Sequence, residues 1–221
     1  MPSTPRTPEL TLGLLNSLPK SGPTDPIEYY RHPIIGHLYR KRINLGLRLL
    51  GDRRYAKALE IGYGAGAVLL ALAVNVDELH GIDLDADAAI VEALLRQHEW
   101  HAKLIRGSVY DLKYESSEFD LVVCFSVFEH LREYERGLHE VARVLKPGGR
   151  LLLGMPAVNL IMEAGFLAIG FKGVADHHVT TPRAVARAFN QVGLRVVQEA
   201  RLRPIPFVSV YFNWLLEKVG E

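Results

Sequence analysis

Apolar runs of strand length alternate with amphipathic segments along most of this chain. Five of these runs predict buried β-strands: residues 56–61, 78–83, 103–107, 119–125 and 150–155. Between them, apolar positions recur at helical spacing, which predicts helices over residues 65–74, 86–97 and 134–145. Such an alternation indicates a parallel sheet with helices packed on both of its faces.

The pattern continues towards the end of the chain and becomes ambiguous there. A helix is predicted over residues 182–192, with Thr180 or Thr181 as its cap, and a sixth strand over residues 194–199. Residues 207–219 fit a strand, a helix, or one followed by the other. We therefore predict an α/β fold with a doubly wound, mostly parallel, seven-stranded Rossmann-like sheet.

The first part of the chain has a different pattern. Residues 1–25 are rich in Pro, Ser and Thr, which predicts a flexible N-terminal tail. Between residues 33 and 50, apolar residues recur at near-helical spacing. A single domain is therefore expected over residues 26–221.

Composition limits the classes of protein to consider. A chain of 221 residues that is 48% hydrophobic can bury one substantial core. The formal net charge of +1 gives no reason to expect a nucleic acid partner. Cys124 is the only cysteine, which fits a reducing compartment, and no signal pattern opens the chain. We expect a cytoplasmic protein that is a monomer or a homodimer.

A glycine-rich stretch between the first strand and the first core helix is the strongest chemical signal. Glycines at 62, 64 and 66 permit positive φ and a close approach of the backbone to a ligand. Asp83 ends the next strand, where a carboxylate can accept hydrogen bonds from both ribose hydroxyls. The spacing also fits a dinucleotide site, but the acidic Glu60 would repel a pyrophosphate. Glu60 suits a ligand that presents a cation, such as the sulfonium or ammonium group of S-adenosylmethionine.

With these residues in view, the chain resembles the class I S-adenosylmethionine-dependent methyltransferases of the small-molecule type. The resemblance spans residues 56–199 and rests on motifs that occur in order, at residues 59–66, 81–83, 107–112, 119–123, 125–131 and 146–151. It implies N-terminal lid helices at 26–55, a cofactor-binding half at 56–155 and a substrate-side half at 156–221. Tyr29 and Tyr30 would then lie on the lid, or simply pack as helix aromatics.

The resemblance also implies where the cofactor contacts lie. Glu60, Gly62 and Phe125 would approach the methionine end of the cofactor, and Asp83 would bind its ribose. Leu84, Ser108 and Val109 would contact its adenine. The implied cofactor-binding residues are Glu60, Gly62, Gly64, Gly66, Asp83, Leu84, Ser108, Val109 and Phe125. Ser108 departs from the pattern, because many members carry an acid there, and a serine gives up the charge.

Methyl transfer from a sulfonium needs alignment first, and a general base only where the acceptor must lose a proton. Glu129 and His130 follow the fourth strand, and His178, next to His177, follows the fifth, so these are the catalytic candidates. An equally weighted alternative to this catalytic interpretation is that Glu129 begins a helical turn and His130 packs under the cofactor. The four side chains could hold a divalent metal, but such relatives carry a further acid near Ser126, so no metal is expected.

The expected reaction is methylation of a small molecule, with oxygen ahead of nitrogen as acceptor. The alternatives are a non-catalytic S-adenosylmethionine-binding protein, and a methyltransferase that acts on RNA or a lipid. A basic run between Arg40 and Lys57 could meet phosphate or a membrane surface, but a solvated helix face is favoured. Apolar residues at 160–171 and 204–214 could line a greasy pocket, although core packing explains them as well.

Overall fold

The computed structural model describes residues 6–22, 31, 33–157 and 178–220. Seven strands form one sheet, in the order β3-β2-β1-β4-β5-β7-β6. The strands are β1 (Tyr55–Ile61), β2 (Val76–Asp83), β3 (Lys103–Arg106), β4 (Phe119–Phe125), β5 (Leu145–Pro156), β6 (Leu194–Leu202) and β7 (Tyr211–Lys218).

The sheet is mixed. Strands β1 to β5 pair in parallel, whereas β7 runs antiparallel to both β5 and β6. The ambiguous residues at 207–219 thus contain a strand, and the antiparallel turn from β6 to β7 needs no crossover helix. The predicted sheet of seven mostly parallel strands is present, with β7 as its antiparallel member.

Helices cover both faces of the sheet. The described α-helices are α1 (Leu12–Ser17), α2 (Pro33–Leu47), α3 (Ala67–Leu72), α4 (Ala88–Gln97), α5 (Tyr134–Val144) and α6 (Pro182–Ala188). Short 3₁₀ turns follow several elements, at Arg48–Leu50, Ala73–Asn75, Phe128–His130 and Phe189–Val192. Helix α6 begins as predicted, because the Thr181 hydroxyl accepts the Ala184 N–H and Pro182 occupies the first turn.

Alternate residues of β4 enter two separate hydrophobic cores. Leu121 and Val123 join the core beneath α1 to α4, whereas Val122 and Cys124 join the core beneath α5 and α6. All four side chains are fully buried. This is why β4 is an unbroken apolar run, and it confirms the prediction of a strand covered on both faces.

The N-terminal segment departs from the sequence expectation. Leu10, Leu15 and Leu18 are buried in the first core, and α1 lies within the stretch predicted to be loose. The side chain of Asn44 holds the segment, since it accepts the Leu10 N–H (2.8 Å) and donates to the Leu10 carbonyl (3.0 Å). Residues 6–22 are therefore packed against the domain, because their few leucines are spaced to meet it.

Candidate functional site

The glycine loop joins β1 to α3 at the carboxyl end of the sheet. Gly62, Gly64 and Gly66 all adopt positive φ, at 76°, 48° and 81°. A Cβ on Gly62 would lie 2.5 Å from Cγ2 of Val127, and one on Gly66 would lie 2.6 Å from Cγ1 of Val91. A Cβ on Gly64 would meet nothing within 4 Å. Gly62 and Gly66 are thus needed for close packing as well as for the backbone conformation, whereas Gly64 faces open space.

Asp83 ties this loop to the turn after β2. Its Oδ2 accepts the N–H of Gly64 (3.0 Å), and its Oδ1 accepts the N–H groups of Asp85 (2.8 Å) and Ala86 (2.9 Å). The carboxylate is therefore held in one orientation beside the glycine loop. Each carboxylate oxygen can accept more than one hydrogen bond, so capacity remains for ribose hydroxyls.

Glu60 lies buried at the end of β1, below the loop. Burial raises its pKa well above the ordinary value, and the nearby Asp83 charge raises it further, against a hydrogen bond from the Leu69 backbone N–H. Its Oε2 atom is buried and finds no hydrogen-bond donor among the described residues. A buried carboxylate oxygen without a donor is costly, and a cationic ligand would relieve that cost.

The predicted adenine side is more open. Leu84 follows Asp83 and leaves 57% of its surface exposed, so its side chain is accessible to a flat apolar ligand. The Ser108 hydroxyl accepts the Tyr110 N–H at 3.2 Å, so part of its capacity is used in a local turn. Val109 is buried, and its side chain belongs to the second core.

Phe125 is the last residue of β4, and its ring packs against two glycines. A Cβ on Gly154 of β5 would lie 2.3 Å from the ring, and one on Gly46 of α2 would lie 2.8 Å from it. The ring therefore fills the space left by two glycines, between the N-terminal helix and the sheet. Its position beside the methionine end of a cofactor stays a prediction.

The three catalytic candidates come together. One ligand atom each of Glu129, His130 and His178 lies within 4.8 Å of the other two. His130 Nε2 is 4.0 Å from Glu129 Oε1, and the two imidazole centroids are 5.3 Å apart. Glu129 is buried, whereas about half of the His130 side chain is exposed, so the cluster runs from the interior to the surface.

The electrostatics of Glu129 differ from those of a surface carboxylate. Burial raises its pKa to about 8, against the lowering influence of its own backbone N–H, the Arg42 charge and the Ser126 hydroxyl. At neutral pH the carboxyl is therefore mostly protonated, and it can donate a hydrogen bond or, above about pH 8, accept a proton.

Sequence reasoning missed the polar group behind Glu129. Arg42 was counted in a solvated basic run, but it is buried, with its guanidinium 3.4 Å from the ring centroid of Tyr39 and 4.8 Å from that of Tyr211. The Ser126 hydroxyl lies 3.0 Å from the Tyr211 hydroxyl. These contacts join α2, β4 and β7, and only the near-helical period of α2, which places Arg42 among buried neighbours, hinted at them.

Some predicted positions lie outside the described residues. They are Tyr29, Tyr30, His177 and residues 160–171. Among the helices that the structure describes, none combines the length and apolar character needed to cross a membrane.

Comparison with known proteins identifies relatives of this chain. Residues 59–153 match the family model described as a methyltransferase domain. An uncharacterized methyltransferase, YcgJ of Bacillus subtilis, is 31% identical over 113 residues, which are 50% of this chain and 45% of that protein. Demethylmenaquinone methyltransferase of Staphylococcus aureus is 30% identical over 129 residues, which are 57% of this chain and 51% of that protein. The chain spans about half the length of these curated relatives.

A solved structure shares the fold over nearly the whole chain. The N-methyltransferase NodS of Bradyrhizobium japonicum, in complex with S-adenosyl-L-homocysteine, superposes with a TM-score of 0.63 at 21% identity. The superposition covers 95% of this chain and 99% of that one. At this identity the likeness shows the fold.

Proposed function

We propose that this chain is a class I S-adenosylmethionine-dependent methyltransferase that methylates a small-molecule acceptor. The methyltransferase domain model that matches residues 59–153, and the fold shared with a methyltransferase solved with S-adenosyl-L-homocysteine, support this proposal. The methyl donor is S-adenosylmethionine and the by-product is S-adenosylhomocysteine. Oxygen is placed ahead of nitrogen as the acceptor atom.

The observation that carries the proposal is the orphaned carboxylate oxygen of Glu60 beside the glycine loop. Its Oε2 atom is buried without a donor among the described residues, and Asp83 stands close enough to raise its pKa. A dinucleotide pyrophosphate would add negative charge to this place, whereas the ammonium or sulfonium of S-adenosylmethionine would neutralise it. The hydrogen bond from the Gly64 N–H to Asp83 supports the ribose role proposed for this carboxylate, because it holds the side chain beside the glycine loop.

The chemistry is an in-line displacement. A lone pair of the acceptor forms a bond to the methyl carbon, the carbon–sulfur bond breaks, and its electron pair stays on sulfur as the sulfonium becomes a thioether. Holding the reactants in line supplies roughly 7–11 kcal/mol of the barrier reduction. A hydroxyl acceptor also loses a proton, and we assign its removal to His130, since this side chain is half exposed beside Glu129.

The names of the relatives leave the acceptor open. One is a demethylmenaquinone methyltransferase and another an N-methyltransferase, so the shared domain accompanies different acceptors. Oxygen is preferred here because a hydroxyl is a weak nucleophile until it loses its proton, and the imidazoles of His130 and His178 in this cluster can accept one.

A lipid-like acceptor is the second candidate, and one surface feature favours it. Phe207 is fully exposed and Ile205 is half exposed in the turn between β6 and β7. Two exposed large apolar side chains in one turn favour an apolar molecule or surface as their partner.

Calorimetry tests the cofactor proposal directly. S-Adenosylmethionine and S-adenosylhomocysteine are titrated into the protein, with NAD as the competing ligand. Binding of NAD alone would overturn the proposal. Release of S-adenosylhomocysteine is then followed with phenols, carboxylates, amines and lipids, and binding without turnover on any of them would favour the non-catalytic alternative.

A further inference from the structure

The cluster at the end of β4 brings together three potential metal-ligand atoms, which is more than the removal of one proton requires. Glu129 contributes a carboxylate oxygen, and His130 and His178 contribute imidazole nitrogens, all within 4.8 Å of one another. The two imidazole planes are tilted by 56° and are not stacked, so nitrogens of both rings can turn towards a common point.

A second feature points to a ligand at this cluster. The Glu129 side chain is 2% exposed, and its Oε2 atom has no hydrogen-bond partner among the described residues. The Ser126 hydroxyl and the backbone N–H of Glu129 satisfy only part of this buried carboxyl, and the Oε1 atom lies 4.0 Å from His130 Nε2. A cation placed between Glu129 and the two histidines would give the buried carboxyl a positively charged partner.

The backbone fixes the distance between the two halves of the cluster. The Glu129 carbonyl accepts the N–H groups of Val179 (2.8 Å) and Thr180 (3.2 Å), and the Thr180 hydroxyl donates to the Leu131 carbonyl (2.5 Å). The segment that carries His178 is therefore tied to the turn that carries Glu129 and His130. Distant parts of the sequence are held together at the point where ligand atoms meet.

We propose that Glu129, His130 and His178 form a binding site for one divalent transition-metal ion, with Zn²⁺ as its best-fitting class. Two imidazoles and a carboxylate suit zinc and its first-row neighbours, whereas Mg²⁺ and Ca²⁺ prefer sites made of oxygen alone. Ligands around zinc lie about 3.3 Å apart, so the side chains close by roughly an ångström when the ion binds. The exposed half of His130 gives its ring room to make that movement.

The site keeps open positions for an acceptor. Ser126 stands where a fourth ligand could come from, but its hydroxyl is engaged by Tyr211 at 3.0 Å. Three protein ligands with an open position are the arrangement of a catalytic zinc. As far as turnover is concerned, this inference rests on the proposed function and changes the role of His130 from proton acceptor to metal ligand. The ion would hold an acceptor oxygen and lower its pKa, so that its proton leaves to solvent.

The cluster also lies close to the proposed cofactor site. Burial is the main reason that the pKa of the Cys124 thiol, near the end of β4, is raised, and the charges of Glu129 and Glu60 raise it further, so both carboxyls lie near this strand end. Val127, two residues before Glu129, packs against Gly62 of the glycine loop. An acceptor bound at the ion would thus lie near the methyl donor.

Cobalt is the probe for this site because tetrahedral Co²⁺ absorbs visible light strongly. The tag-free, chelator-treated full chain is titrated with Co²⁺, and we expect one ion per chain, displaced by Zn²⁺. The variants H130A, H178A and E129Q should each bind more weakly by more than about tenfold, since losing an outer-shell partner alone costs 10- to 100-fold. The control H139A removes an exposed histidine on α5 and should leave binding unchanged.

Two results would overturn the proposal: no cobalt spectrum, or equal binding by H178A and H139A. Circular dichroism and S-adenosylhomocysteine affinity are measured on every variant, so a variant that fails to fold is recognised. S-Adenosylhomocysteine binding by the metal-free wild type separates the two proposals. If it binds and cobalt does not, the metal site fails while the methyltransferase proposal stands.

Discussion

Two glycines of the loop share a positive φ but differ in what surrounds them. Gly62 faces Val127, whereas Gly64 faces open space. Any alanine in this conformation costs about 1–2 kcal/mol. Overpacking against Val127 adds about 1–3 kcal/mol for Gly62→Ala. We expect urea unfolding to show a larger loss for Gly62→Ala than for Gly64→Ala.

A suppressor checks the cause of that difference. Val127→Ala in the Gly62→Ala background should restore part of the lost stability, because it removes the side chain that meets the new Cβ. Equal losses for the two glycine variants would show that backbone strain alone decides both.

Asp83 combines a structural and a proposed binding role, and a matched pair of variants separates them. Asp83→Asn keeps the size but loses the charge, and charged hydrogen bonds contribute about 1.5–3 kcal/mol each. S-Adenosylhomocysteine affinity measured by calorimetry should fall by roughly 10- to 100-fold. Asp52→Asn, in the turn before β1 at the opposite end of the sheet, should bind like the wild type. An unchanged affinity for Asp83→Asn would remove the ribose role.

Local signals could be read from the sequence, and long-range ones could not. The glycines and Asp83 were predictable because a tight turn and a strand end impose their own chemistry on neighbouring residues. The contact of Arg42 with Tyr211 joins α2 to β7, and no periodicity in one segment contains the other. The sequence predicted only that His178 and Glu129 lie at the same edge of the sheet. Hydrogen bonds from the Val179 and Thr180 N–H groups to the Glu129 carbonyl bring the two side chains together.

At the scale of elements, α1 tests how the N-terminal segment is held. Leu15 is 1% exposed in the first core, whereas Leu12 on the same helix is 52% exposed. Leu15→Ala should lower the free energy of unfolding by about 2–5 kcal/mol, as cavities in a packed core do. Leu12→Ala should change it by less than about 0.5 kcal/mol. Denaturant titration compares the two, and equal small effects would restore the picture of a loose tail.

Composition misled the prediction for this segment for a physical reason. Its Pro, Ser and Thr content lowers local order, but Asn44 and Asn75 offer side-chain amides to its backbone. Two polar residues far along the chain thus replace the hydrogen bonds that the segment cannot make with itself. By contrast, β4 was predicted closely, because a strand that is buried on both faces has a short, unbroken run of apolar residues.

At the scale of the whole molecule, the order of motifs was the most informative property. Each motif alone is common, but their joint order predicted a methyltransferase family, and a methyltransferase domain model matches residues 59–153. The antiparallel strand β7 was the least predictable element, because Asn213, Glu217 and Lys218 interrupt its apolar run and leave neither a strand nor a helical period. Its neighbours β5 and β6 decide its conformation through pairing on both edges.

The Glu78 carboxylate lies among side chains from three strands, and these contacts make the stability of the fold depend on acid pH. Glu78 of β2 lies 2.6 Å from Lys103 Nζ, 2.9 Å from His80 Nε2 and 3.6 Å from Lys57 Nζ. These partners, led by Lys103 and His80, lower its pKa to about 2. Because the folded pKa lies below the unfolded value of about 4.3, Glu78 stabilises the fold above that value. This stabilisation is lost as the pH falls towards 2.

We therefore expect Glu78→Gln to lower the unfolding free energy at pH 7 by less than about 1 kcal/mol, since the carboxylate is partly exposed and screened. The gap between variant and wild type should widen slightly as His80 titrates, because Glu78 raises the His80 pKa in the wild type, and it should close as the pH approaches 2. Burial also lowers the pKa of His80, which makes both proteins less stable below about pH 6.5. Glu115→Gln, at an exposed position, controls for charge, and a gap that persisted at pH 2 would contradict the assignment to Glu78.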